Sequence, residues 1–161
     1  MYEGIKGFYK VINTSKCMNC ANRDTVKYKS KYEHRMMCYL DTSESIIKWG
    51  YEVLKIAYIS PNDGKEHHYE VDFYVEGISI DGGIRKMAIE VKPLKQVLPP
   101  SGKSRSNKTR NLENAVYQVN QAKWDYAKRW CSSNGIFFHT ITENELYPYT
   151  SRQTINRKIT K

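Results

Sequence analysis

Asp72, Glu90 and Lys92 are the residues of this chain whose types and spacing could do chemistry. They stand in VDFYVEGISIDGGIRKMAIEVKP, residues 71–93, which otherwise reads as two apolar strands joined by a turn. Charged groups at positions where a core prefers Val or Ile are costly unless they are paired or used. Side chains alternate faces along a strand, so Glu90 and Lys92 share one face while Met87, Ile89 and Val91 take the other. Asp72 is likewise opposite in parity to Val71, Phe73 and Val75. A tight turn near Gly82 pairs positions whose numbers sum to about 164, which sets Asp72 beside Lys92 and diagonal to Glu90. Two carboxylates, with the backbone carbonyl of Val91 as a third donor, make an oxygen-rich set suited to Mg²⁺, with Mn²⁺ able to substitute. Lys92 beside them could position and deprotonate a water, or neutralise charge building on a phosphate under attack. The plainer alternative is a salt bridge of Asp72 and Glu90 with Lys92, in a place where apolar residues would pack at less cost.

The elements that must position this set follow from pattern. Residues 28–41, YKSKYEHRMMCYLD, read as a helix with Ser30 as N-cap and with Tyr32, Met36, Met37 and Leu40 on one face. Glu33 falls in the middle of that face and could reach the same cluster; otherwise it pairs with Lys29 or a nearby Arg. Residues 46–60 are strand-like, and Asp63-Gly64 turns the chain into a second strand from about His67 to Ile80. Asp81-Gly82-Gly83 opens a third strand, Arg85 to Lys92, stopped by Pro93. A basic loop spans residues 95–110. A helix from about Asn111 to Cys131 carries an apolar stripe of Leu112, Ala115, Val116, Val119, Ala122, Tyr126 and Trp130. GIFFHTI is expected as a short buried strand, and Thr142 to Glu145 as a capping box opening a last helix. The order of elements gives an α/β fold, a mixed sheet flanked by helices. The expected organisation is a basic N-terminal extension (1–27), a central domain (28–147) and a basic C-terminal tail (148–161).

Lys and Arg number 26 against 17 for Asp and Glu, a net charge of +9 that points to a polyanionic partner. Lys95, Lys103, Arg105, Lys108 and Arg110 follow the third strand directly and suit binding of DNA phosphates without reading sequence. A solvated loop would carry the same residues. Lys27, Lys29 and Lys31, before the Glu33 helix, suit an opposite wall. No signal peptide or membrane-spanning stretch is expected, and the four cysteines are expected as free thiols in a reducing compartment. Cys17 and Cys20 have the spacing of half a zinc knuckle, but no second pair follows. His67, His68 and His139 read as surface or core residues, and Trp49, Trp124 and Trp130 as packing residues.

Asp72, an interval of 17 residues, and then Glu90-Val91-Lys92 resemble the PD-(D/E)xK nuclease signature, with Val71 where that motif has proline. The segments YKSKYEHRMMCYLD, IIKWGYE, YISPNDGKEHHYEVDFYVE, AIEVKPLKQ, NQAKW and TENEL, in that order over about residues 28–147, resemble the phage head completion nuclease family, related to the TnsA-type transposon endonucleases. The resemblance implies a restriction-endonuclease-like fold and Mg²⁺-dependent cleavage of double-stranded DNA. It further implies a role late in virion assembly with head or portal proteins as partners, in the host cytoplasm or the virion. Carried over by position, Glu33 matches the family's helical acid, Asp72 and Glu90 its two motif acids, and Lys92 its lysine. Gln121 and Lys123 match its NQAKW segment. Two other roles fit the same residues: a non-catalytic protein bound to DNA ends in the phage head, and a transposase-like or junction-resolving endonuclease.

Overall fold

A computed structural model describes residues 5–102 and 106–147 of the chain. A two-stranded antiparallel sheet pairs β1 (Gly7–Lys10) with β2 (Thr25–Tyr28). Helix α1 (Lys31–Thr42) follows, and then a four-stranded sheet of β3 (Ile46–Ile59), β4 (Glu66–Ile78), β5 (Ile84–Val91) and β6 (Phe137–Ile141), in that spatial order. β3, β4 and β5 are antiparallel neighbours, and β6 runs parallel to β5. The single turn α2 (Leu94–Val97) and the long α3 (Asn107–Ser133) make the crossover between β5 and β6, and α4 (Glu143–Leu146) closes the described chain. This is the mixed α/β architecture expected from the sequence.

Local chemistry accounts for the boundaries. The Ser30 hydroxyl accepts from the Glu33 amide at 3.1 Å, and the Glu33 carboxylate reaches back to the Lys29 amide at 2.7 Å. The helix therefore begins at Lys31, and Tyr28 belongs to β2 instead. Thr142 and Glu145 form the expected capping box. Gly64 and Gly82 take φ of +66° and +80°, the left-handed turns their sequences call for.

Five expectations change. The β4–β5 ladder pairs Phe73 with Ile89 and Ile78 with Ile84, positions that sum to 162. The loop centres on Asp81, whose carboxylate accepts from the Gly83 amide, so Asp72 falls opposite Glu90 and not beside Lys92. The N-terminal extension packs into the central domain: Tyr9, Val11, Cys17 and Val26 are buried in the same core as α1. The basic loop is helical at both ends, where α2 and the first turn of α3 lie. The apolar stripe of α3 is buried only in part: Leu112 and Val116 are exposed, and its buried residues are Trp124, Ala127 and Cys131. At 1.5 Å per residue α3 runs about 40 Å, and only its C-terminal half lies on the sheet. β6 is an edge strand with Phe137 exposed, so GIFFHTI is less buried than expected.

The core divides into two clusters. One joins Met36, Met37 and Leu40 of α1 to Trp49, Phe73, Val75 and Ile89. The other joins Trp124, Ala127 and Cys131 of α3 to Ile56, Tyr69, Val71 and Ala88. Tyr69 and Val71 share parity with Phe73 and Val75 yet belong to the other cluster, so β4 changes face at Asp72. The cause lies in its neighbour. β3 carries two residues, Glu52 and Val53, where β4 carries Asp72 alone, a bulge that bends and twists the pair. Glu52 at the bulge has φ of 53°, the one positive φ outside glycine among the described residues.

Candidate active site

The bulge and the end of the β4–β5 ladder open a gap in the sheet, and the charged groups fill it. Past Phe73↔Ile89 the two strands no longer pair through their backbones. The Asp72 carboxylate takes the place of the missing rung and accepts from the Val91 amide at 2.8 Å. Lys92 Nζ lies 2.8 Å from Glu90 Oε1 and 3.9 Å from Asp72 Oδ2. Tyr69 donates its hydroxyl to Glu90 Oε2 at 2.5 Å. Asp72 and Glu90 are both buried. The three groups singled out from the sequence thus meet, although the pairing that brings them together differs by two positions from the expected register.

The electrostatics follow from this crowding. Burial, and then the neighbouring Glu90 carboxylate, push the Asp72 carboxyl up to about 8. The Lys92 ammonium and then the Val91 amide pull the other way, but by less than burial and Glu90 raise it. Burial alone would lower the Lys92 ammonium, but the Asp72 and Glu90 carboxylates outweigh it and push it up to about 12. Lys92 is therefore a cation at neutral pH, not a free base.

Backbone geometry adds a third oxygen. The Lys92 amide donates to the Ile141 carbonyl at 3.0 Å, towards β6. The carbonyl of Val91 belongs to the same planar trans peptide, so it points the opposite way, into the gap beside Asp72. Two carboxylates and a peptide carbonyl aimed at one gap, with a single ammonium to offset the acids, are a hard-oxygen donor set short of positive charge. That set fits Mg²⁺ or Mn²⁺. Among the described residues no three His, Cys, Asp or Glu side chains converge as a metal site, so the protein side chains at this gap are the Asp72–Glu90 pair.

Glu33 stands behind this pair and is held by other groups. Its Oε2 accepts from the Lys29 amide and from the Tyr51 hydroxyl, each at 2.7 Å. Its charge still reaches the site, adding to the upward shifts of both Asp72 and Lys92. The Lys29 side chain pairs with Glu52 at the bulge and not with Glu33. Lys123 extends from α3 to lie 5.7 Å from the ring centre of Tyr58 and 5.8 Å from that of Tyr69. It touches the site through Tyr69, while half-buried Gln121 lies about 200° around the helix from it. Lys95 is exposed on α2, and Lys108 and Arg110 are exposed on the first turns of α3; Lys103 and Arg105 lie outside the described residues. A groove of about 800 Å³ lined by Lys95, Pro100, Gly102, Arg110, Tyr117 and Asn120 runs from the end of β5 along α3. A second groove of about 680 Å³, lined by residues such as Met36, Tyr39, Ile78 and Met87, carries neither Glu33, Asp72, Glu90 nor Lys92.

Two contacting residues escaped the sequence reading, Tyr51 and Tyr69. Strict alternation from Asp72 puts Tyr69 on the opposite face, and only the change of face at the bulge turns it towards Glu90. Cys17 and Cys20 are free, and burial, with a hydrogen bond to Cys20, pushes the Cys17 thiol up to about 12. Their segment docks on the edge of β3: Met18 donates to the Trp49 carbonyl at 2.8 Å, and Asn19 pairs both ways with the Tyr51 backbone.

A buried acid pair and a lysine thus meet at a splayed strand end, on a mixed sheet between helices. Residues 43–143 match the family model described as TnsA-like endonuclease N terminal, and the chain belongs to that family. The match contains Asp72, Glu90, Lys92, Gln121 and Lys123, whereas Glu33 precedes it. Among individual proteins, the chain is 30% identical over 125 residues to the Head completion nuclease of Enterobacteria phage T4, covering 75% of this chain and 81% of that protein. The fold is thus restriction-endonuclease-like, and the family is one of nucleases.

Proposed function

We propose that this chain is a phage head completion nuclease, a Mg²⁺-dependent endonuclease that hydrolyses phosphodiester bonds of double-stranded DNA. We place its action at packaged DNA ends late in virion assembly, in the host cytoplasm, with head or portal proteins as partners. The observation that carries the reading is the convergence of Asp72, Glu90 and Lys92 at one gap in the sheet. A bound Mg²⁺ would supply Lewis acidity towards a phosphate oxygen and towards the attacking water. Asp72, Glu90 and the Val91 carbonyl would hold it. Lys92, an ammonium at neutral pH, donates to a non-bridging phosphate oxygen and offsets the charge that builds there during attack. Glu33, fixed by Tyr51 and the Lys29 amide, strengthens the negative field that draws in the cation. Lys95, Lys108 and Arg110 lead the DNA backbone along the groove beside α3.

The test is cleavage of supercoiled and linear DNA in Mg²⁺ by the native chain, Glu90→Ala and Lys92→Ala. Lys92→Ala is expected to lose at least about 100-fold in rate, the usual effect of removing one transition-state donor. Glu90→Ala should be inactive with the fold intact. Absence of cleavage by the native chain, with tight binding to DNA ends retained, would turn the reading to a non-catalytic head protein.

A further inference from the structure

Tyr69 has a relation to the acid pair that neither the motif nor the family match assigns. Its side chain is buried beneath α3, and its hydroxyl ends on Glu90 Oε2 at 2.5 Å. Lys92 takes the other oxygen, Oε1, at 2.8 Å. Glutamate has three rotatable bonds, so a carboxylate held by Lys92 alone could swing when a phosphate drew the ammonium away. The second contact removes that freedom. Lys123 lies over the Tyr58 and Tyr69 rings, close enough for a cation–π contact with both.

We propose that Tyr69 is the positioning residue for Glu90, tying one carboxylate oxygen so that the other faces the gap, and that Lys123 acts on the site by seating the Tyr69 ring. The inference rests on the reading of Asp72 and Glu90 as a cation site. It accounts for a lysine of the NQAKW segment acting without touching the acids. A buried phenol needs an acceptor in any fold, so the competing role for the pair is simple satisfaction of the Tyr69 hydroxyl. The two roles differ in what happens to metal binding when the hydroxyl is removed.

The experiment titrates Mn²⁺ into the metal-free full chain, following free Mn²⁺ by electron paramagnetic resonance. It compares the native protein with Tyr69→Phe, Lys123→Met and the double variant, with thermal midpoints recorded for each. Loss of a hydrogen bond that orients a metal-binding side chain typically weakens binding about 10- to 100-fold, and that is expected of Tyr69→Phe. Lys123→Met should weaken it by roughly threefold, in line with a modest cation–π contact. The double variant should bind no more weakly than Tyr69→Phe, because Lys123 works through that hydroxyl. Native Mn²⁺ affinity in Tyr69→Phe, with only the midpoint lowered, overturns the proposal. A double variant that loses both effects in full overturns the part played by Lys123. A native chain that binds no Mn²⁺ refutes the cation site itself, and that result is distinct from either of the others.

Discussion

Asp72→Asn should leave the metal-free protein more stable than the native chain near pH 8 while ending cleavage. The expectation comes from the upward shift of this carboxyl, from its ordinary 3.8 to about 8, caused first by burial and then by Glu90. Its sign is set by linkage. Below about pH 4 the folded and unfolded chains both hold the proton, and Asp72 costs nothing. Between about 4 and 8 the unfolded chain has released it while the folded chain keeps it, so stability falls as pH rises. One proton of difference changes stability by about 1.4 kcal/mol per pH unit, or about 4 kcal/mol between pH 5 and pH 8. Asparagine is nearly isosteric, and its Oδ1 can still accept from the Val91 amide, so the variant removes the charge and little else.

The assay is urea unfolding in a chelator at pH 5, 6, 7 and 8 for both proteins. Other groups titrate in this range, and the difference between the two proteins isolates Asp72. The difference should widen in favour of the asparagine variant by about 1.4 kcal/mol per pH unit, less steeply as pH nears 8. Mg²⁺ at saturation should close it by stabilising only the native chain. Parallel pH curves would refute the reasoning, since they would mean that Asp72 is ionised at little cost in the folded gap.

Other perturbations probe other parts of the molecule. Asp41 is fully buried and accepts from the Tyr9 hydroxyl, the Ile12 amide and the Asn13 amide. Asp41→Ala strands these donors and should cost about 3 kcal/mol in denaturant unfolding, with the β1–β2 sheet losing amide exchange protection first. Lys108→Gln with Arg110→Gln should weaken DNA binding and flatten its salt dependence by about two in log–log slope, measured by anisotropy over a salt series.

Much of the site was legible because its signals are local. Parity put Glu90 and Lys92 on one face, and the Ser30 cap put Glu33 near the start of a buried helix face, as found. The register was not legible, because it turned on where the loop is centred: Asp81 reaching the Gly83 amide moved the centre by one residue and the pairing by two. Nor was the bulge at Glu52 and Val53, since neither residue is a glycine and nothing in IIKWGYEVLKIAYI marks an interruption. That bulge matters most, for it turns β4 over at Asp72 and so brings Tyr69, expected on the far face, to Glu90. The N-terminal strands were hidden for a different reason: they bury few residues of their own and depend on Asp41, a long-range acceptor that no periodicity reveals.

Four acids among the described residues are buried, and the donors around each separate those that hold the fold from those that await a ligand. A carboxylate offers about four acceptor sites. Asp41 fills three of them with a phenol and two amides, all supplied by its own chain, and its role is structural. Glu33 fills two from an amide and a phenol and lends its charge at a distance. Glu90 also has two donors, but one is the ammonium of Lys92, which it shares with Asp72. Asp72 is the poorest, with one amide and a lysine 3.9 Å away, and it is the one whose carboxyl is driven up to about 8. Burial without donors would be selected against in a purely structural residue, because asparagine or an apolar side chain serves the fold better there. The deficit at Asp72 thus falls where a cation would complete the shell, and the same deficit that makes the metal-free gap unstable gives a divalent ion its affinity.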